Sequence, residues 1–171
     1  PREKVEVSFR EVMEANDFLT ASTCRLRLTL AAGSEAPIEI YEATPSPHHP
    51  DTAQIITGPF IRNERSLLNG IKTLSYGENA VATRMTKEQG ATEALWSNTQ
   101  NDLCEGTWSN VFVRIAGGWK TPRLDSGCLP GVTRGLLLRL SVDCEITIEE
   151  SSISMSLLDE VEAAFLTSSI R

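Results

Sequence analysis

The sequence predicts an α+β protein built in two domains, and three observations carry that prediction. A helical apolar period near the N-terminus is followed by two runs of period two. Pro45, Pro47 and Pro50 then interrupt the chain, which neither a helix nor a central strand tolerates. Beyond them, short strand-like runs mix with two amphipathic helical patterns. The expected boundaries are a first domain over 1–46, a linker over 47–51 and a second domain over 52–171.

Val5, Phe9, Val12 and Met13 recur at helical spacing among Arg10, Glu11 and Glu14, predicting a helix that ends near Asn16. Arg25 to Leu30 alternates with period two, so it predicts a strand with one buried face. Ala31 to Ser34 reads as a turn, and Ile38 to Tyr41 as the returning strand. After the prolines, Ala53 to Phe60 reads as a strand. Ala80 to Gln89 reads as a helix with Lys87 in its last turn and Gly90 as its stop. Ala94 to Trp96 and Asn110 to Ile115 read as strands. Gly117-Gly118 turns the second of these into Trp119-Lys120-Thr121. Pro130 and Gly131 introduce a helix marked by Val132, Leu136, Leu137 and Leu140. Cys144 to Ile148 reads as a strand, Leu157 to Val161 as a short helix, and Ala163 to Leu166 as a last strand.

The bulk properties exclude several classes. The chain has 171 residues, 40% hydrophobic and 23% charged, with a formal net charge of -7. An acidic surface repels phosphate backbones, so no nucleic-acid partner is expected. No apolar run is long enough to span a membrane, and no secretory signal is visible. Cys24, Cys104, Cys128 and Cys144 form no CxxC pair, and none lies near His48 or His49. That spacing does not suit zinc; reduced thiols in a cytoplasmic protein, with exposed linker histidines, are the expectation.

Taken singly, the chemistry-bearing residues are bland. Lys72, between Ile71 and Leu74, suits a strand end with apolar flanks, but alone it reads as a surface lysine, and Glu105 as a solvated carboxylate. Thr107, Ser109 and Asn110 around Gly106 suit an ordinary turn, although such a turn can also present donors to an anion. Val132 and Thr133 begin a helix, where free N–H groups bind phosphate and a threonine can also serve as a plain cap. Thr167-Ser168-Ser169 is a further hydroxyl-rich turn.

Order and spacing make these residues a set. Lys72-Thr73-Leu74-Ser75-Tyr76, then Glu105-Gly106-Thr107-Trp108-Ser109-Asn110, then Gly127 to Arg134 with Pro130-Gly131-Val132-Thr133-Arg134, resemble the class IV (fold-type IV) aminotransferases. That group includes the branched-chain and D-amino-acid aminotransferases and the aminodeoxychorismate lyases. The resemblance implies pyridoxal 5'-phosphate as cofactor, bound to Lys72 as a Schiff base. It implies Glu105 at the pyridine nitrogen, with Val132, Thr133, Trp108 and Ser109 at the phosphate. Thr167, Ser168 and Ser169 would meet cofactor phosphate or substrate carboxylate, and Tyr76 would lie near the cofactor hydroxyl. Family members often carry a small residue where Trp108 stands, so Trp108 would act through its backbone or reshape the pocket.

The implied reaction moves an amino group from an amino acid, L and branched-chain-like, to a 2-oxo acid. Alanine in the Ala31-Ala32-Gly33 turn, where D-specific members place an arginine, ranks D-specificity low. The alternatives are pyruvate release from aminodeoxychorismate and a homologue without catalysis. The resemblance also implies a homodimer. It implies a working enzyme longer than this chain at both ends, with 1–46 the later part of a small α/β domain and 52–171 most of a large cofactor-binding domain.

Overall fold

The computed structural model describes residues 2–20, 23–46 and 51–169. These fall into two compact units, one on either side of positions 47–50. His48 and His49, and most of the expected linker, lie outside the described residues.

The first unit is a helix and a hairpin. Helix α1 (Arg2–Ala15) packs on the antiparallel pair β1 (Cys24–Ala31) and β2 (Ile38–Pro45). Phe9 of α1 meets Tyr41 of β2 edge to face, with centroids 5.2 Å apart, and Lys4 pairs with Glu39 at 2.8 Å. The expected buried face of β1 is not found: no residue of β1 is buried, and Leu26, Leu28 and Leu30 remain partly exposed. A two-stranded sheet with one helix has too little area to cover them. Thr44 and Pro45, expected in a proline-rich break, instead end β2, with Pro45 opposite Cys24. A terminal strand position tolerates proline's missing donor.

The second unit holds two sheets. In the first, β3 (Ile55–Arg62) lies parallel to β4 (Glu93–Asn98), and β4 pairs antiparallel with β5 (Leu103–Gly106). Helix α2 (Gly77–Glu88) is the crossover that parallel pairing requires. It ends with Gly90 at φ 68°, and Ala91 N–H bonds back to Thr86 O, the left-handed closure that glycine permits. In the second sheet the order is β8-β7-β6-β9, formed by β6 (Asn110–Ile115), β7 (Gly118–Pro122), β8 (Ile148–Ser151) and β9 (Ala163–Thr167). Helix α3 (Val132–Asp143) connects the parallel pair β7 and β8.

Strands β4 and β5 of the first sheet are buried on both sides, whereas β3 is largely exposed. Alternation along β4 and β5 explains how they bury both faces. Ala94, Trp96 and Cys104 join Phe60 and Ala82 in the core beneath α2. Leu95 and Leu103 point the other way and join Val111, Val113, Ile115 and Ile153 in a second core. This double burial makes the strands around the site rigid.

Three expectations are corrected. Glu105-Gly106 is strand β5 rather than a turn; the sharp turn comes at Thr107-Trp108, closed by Gly106 N–H to Ser109 O at 2.7 Å. The strand expected from Cys144 begins only at Ile148. Cys144 caps α3, Glu145 takes φ 57° and Ile146 N–H returns to Ser141 O, so these residues close the helix. Lys72, expected near a strand end, lies in a loop well beyond the end of β3.

Candidate active site

The loop between β3 and α2 carries Lys72. Local side-chain bonds shape it: Asn63 Oδ1 accepts from Arg65 N–H, Ser66 Oγ from Leu68 N–H and Thr73 Oγ1 from Ser75 N–H. Glu64 anchors it, accepting from Thr99 N–H at 3.1 Å and Thr99 Oγ1 at 2.7 Å. These bonds hold the Glu64 carboxyl down at about 2. Lys72 is exposed, and its Nζ donates to the Tyr76 hydroxyl at 3.3 Å.

Glu105 is the opposite case, only 5% exposed. Pairing of β4 with β5 sets it opposite Trp96. One oxygen pairs with Arg62 Nη2 at 3.1 Å; the other accepts Leu129 N–H at 2.9 Å. Arg62 is itself fixed. Its guanidinium lies 4.2 Å over the Trp96 ring and donates to Asn79 Oδ1, while Asn79 Nδ2 donates to the buried Thr107 carbonyl at 2.7 Å. Desolvation pushes the Glu105 carboxyl up; the Leu129 N–H, Arg62 and the charge of Lys72 oppose the rise. A cavity of about 510 Å³ opens here, lined among others by Arg62, Tyr76, Asn79, Glu105, Gly127 and Leu129.

A second cluster forms where α3 begins. Gly131 precedes the helix and no side chain caps it. Thr133 is a residue of α3 rather than its cap, and its hydroxyl donates to Ser168 O at 3.0 Å. Asn110 Nδ2 donates to Leu129 O at 2.8 Å, and a Cβ on Gly131 would collide with Asn110 Oδ1. Glycine is thus what allows this close approach. Pairing of β6 with β9 sets Asn110 opposite Thr167. Val132, Thr133, Thr167 and Ser168 are thereby brought together, whereas the Ser109 hydroxyl lies against Gly106 and Ser169 is exposed beyond β9. Ser109 Oγ and Thr167 Oγ1 are buried and have no hydrogen-bond partner. Buried hydroxyls are nearly always satisfied, so the orphan Thr167 hydroxyl near an uncapped helix start fits a phosphate ester. With the buried Glu105 carboxylate, the donor set suits a phosphorylated pyridine.

Of the expected residues, Tyr76 and Glu105 line the cavity. Lys72, Trp108, Ser109, Val132, Thr133, Thr167 and Ser168 are not among its lining residues; Lys72 touches Tyr76 through the phenol hydroxyl, and Trp108 stacks on Tyr76 with centroids 5.6 Å apart. Arg62 and Asn79 were not anticipated. The expected strand ends at Phe60, and an arginine directly after the apolar pair Phe60-Ile61 carries no signal of its partner.

A family model described as Amino-transferase class IV matches residues 1–171. The chain belongs to the class IV aminotransferases. It is 43% identical over 65 residues to the Thermotoga maritima protein named "Probable branched-chain-amino-acid aminotransferase", covering 38% of this chain and 24% of that protein. It is 28% identical over 100 residues to the aminodeoxychorismate lyase of Bacillus subtilis, covering 58% and 34%. A fold IV-transaminase structure from Curtobacterium pusillum superposes with a TM-score of 0.85 at 25% identity, over 99% of this chain and 62% of that one. The chain spans 24% to 41% of the length of the curated relatives it matches. The α+β, fold-type IV class is therefore the observed one, and the family is one of pyridoxal-phosphate enzymes. Among the described residues no helix is long and apolar enough to cross a membrane, and no cluster of His, Cys, Asp and Glu is placed to hold a metal.

Proposed function

We propose that this chain supplies the cofactor-binding centre of an aminotransferase that moves an amino group from an L-amino acid of branched-chain type to a 2-oxo acid. The observation that carries the reading is Glu105: a buried carboxylate, clamped by Arg62 and the Leu129 N–H, facing a cavity beside Tyr76. Pyridoxal 5'-phosphate, when bound, draws electrons from the substrate α-carbon. Glu105 would hold the ring nitrogen, and its upward shift makes it a carboxylate that shares a proton readily. Ser109, Thr133 and Thr167, with the first N–H groups of α3, would hold the phosphate. Lys72 Nζ would bond the cofactor covalently and then carry the proton at the α-carbon. That amine donates to the hydroxyl of Tyr76, a residue that lines the cavity.

The likeness to the Bacillus subtilis lyase favours a second reading in which the same residues release pyruvate from aminodeoxychorismate. A homodimer and a cytoplasmic location belong to the proposal; the free Cys24, Cys104, Cys128 and Cys144 support a reducing compartment.

The test is spectroscopic. The protein carrying this chain, given pyridoxal phosphate, should develop a visible band that Lys72→Ala abolishes without loss of fold. No band in the unaltered protein would sink the proposal. Glutamate formed from 2-oxoglutarate with branched-chain donors, and no pyruvate from aminodeoxychorismate, selects transamination; the reverse selects the lyase.

A further inference from the structure

Trp108 is 51% exposed, yet its indole makes directed contacts on two sides. The ring lies 7° from parallel to Tyr76. Its Nε1 donates to Thr83 Oγ1 in α2 at 2.9 Å, and that hydroxyl donates in turn to Asn79 O at 2.7 Å. The backbone is fixed as well, since Trp108 N–H donates to Glu93 Oε1 at 2.9 Å. The Tyr76 phenol is thus held against a wall tied to α2 and β4. Its hydroxyl receives Lys72 Nζ, which also lies 5.8 Å from the centre of its ring. Tyr76 stands directly before α2, whereas Lys72 lies in the loop, four residues earlier.

We propose that the Trp108 side chain is a positioning residue for the Lys72 amine, acting through Tyr76. This rests on the reading of Lys72 as the cofactor-bonding lysine. A lysine on a loop has many rotamers, and only a partner of fixed place selects among them. The phenol hydroxyl is that partner, and the Trp108 stack fixes it. An aromatic pair of this geometry biases a side-chain equilibrium about two- to tenfold. Thr83 contributes by fixing the rotation of the indole.

The readout needs no cofactor. Competitive acetylation with limiting acetic anhydride, followed by peptide mass spectrometry, gives the reactivity of Lys72 relative to the exposed Lys87 on α2. Trp108→Ala should raise the Lys72 to Lys87 ratio about two- to tenfold as the amine leaves the phenol. Trp108→Phe, which keeps a stacking ring but loses the bond to Thr83, and Thr83→Val should both fall between the unaltered protein and Trp108→Ala. A ratio unmoved by Trp108→Ala, or moved as far by Trp108→Phe, overturns the proposal. If Trp108→Ala does not fold, Thr83→Val decides: an unmoved ratio there overturns it and a raised one supports it. A moved ratio in a protein that gives no visible band with pyridoxal phosphate would remove the proposed function and leave the positioning role standing.

Discussion

Arg62→Leu tests the electrostatics of the site most directly. The substitution removes the guanidinium 3.1 Å from Glu105 and leaves the carboxylate, 5% exposed, with the Leu129 N–H as its remaining donor. Breaking a buried ion pair by deleting one partner costs about 3–5 kcal/mol. The Arg62 side chain is 21% exposed and faces a cavity that can admit water, so the lower figure, ~3 kcal/mol, applies. Losing the stack on Trp96, 4.2 Å from the guanidinium, adds about 1 kcal/mol that does not depend on pH. The ionic part does depend on pH. Glu105 already titrates above its ordinary value in the fold, so its ionisation opposes folding as pH rises through the carboxylate range and beyond. Without Arg62 the folded value rises further, by about 1.4 kcal/mol per unit. The variant's deficit should therefore be about 4 kcal/mol at neutral pH and about 1 kcal/mol at acid pH below the ordinary carboxylate range, where Glu105 is protonated both folded and unfolded. Urea unfolding followed by tryptophan fluorescence at the two pH values measures it. Adding Glu105→Gln should recover most of the ionic part. Equal deficits at both pH values, or an additive double variant, would refute the argument.

Two further outcomes concern the framework. Glu64 is held well below the ordinary carboxylate value by Thr99, so its contribution is complete above the unfolded value of ~4.5 and is lost as pH falls from there toward 2. Glu64→Gln should flatten that part of the acid-unfolding curve and speed amide exchange in the 63–70 loop; an unchanged curve would count against the anchor. Gly131→Ala should push α3 away from Asn110, costing about 1–3 kcal/mol in urea unfolding and weakening the binding of inorganic phosphate measured by calorimetry; unchanged phosphate binding would count against the phosphate site.

Much of the element order was legible from periodicity and from the Pro and Gly signals, even where burial does not follow the pattern. Val111, Val113 and Ile115 of β6 enter one core, and a helix starts after Pro130 and Gly131 as expected, although its Val132, Leu136 and Leu140 are exposed and its buried side chains are Arg134 and Ser141. The failures have physical causes. Cys144 to Ile146 looks β-forming, but its backbone groups are taken by the end of α3. Glu105 sits in a glycine- and hydroxyl-rich run that suggests a turn, yet pairing with Trp96 makes it strand. Local propensity cannot register a partner supplied from elsewhere in the sheet. Arg62 was missed for the same reason: its role exists only once β3, α2 and β5 bring Trp96, Asn79 and Glu105 around it.

The two halves of the site differ in a way that the proposed chemistry requires. Glu105, Ser109 and Thr167 sit on or beside strands of the doubly buried framework, and Thr133 at the start of a helix tied to it. Groups that bind a constant charge gain from such rigidity, because they need no reorganisation when the charge arrives. Lys72 lies on an exposed loop and is held by a single hydroxyl. A lysine that must alternate between bonded and free states, and carry a proton in the second, cannot be locked into a strand. It needs a partner that releases it at small cost. A neutral hydroxyl at 3.3 Å is such a partner, whereas a carboxylate at that distance would hold the ammonium too firmly. The same reasoning accounts for the aromatic wall: Trp108 restrains Tyr76 without charge, so it narrows the positions open to the amine and leaves its proton free to move.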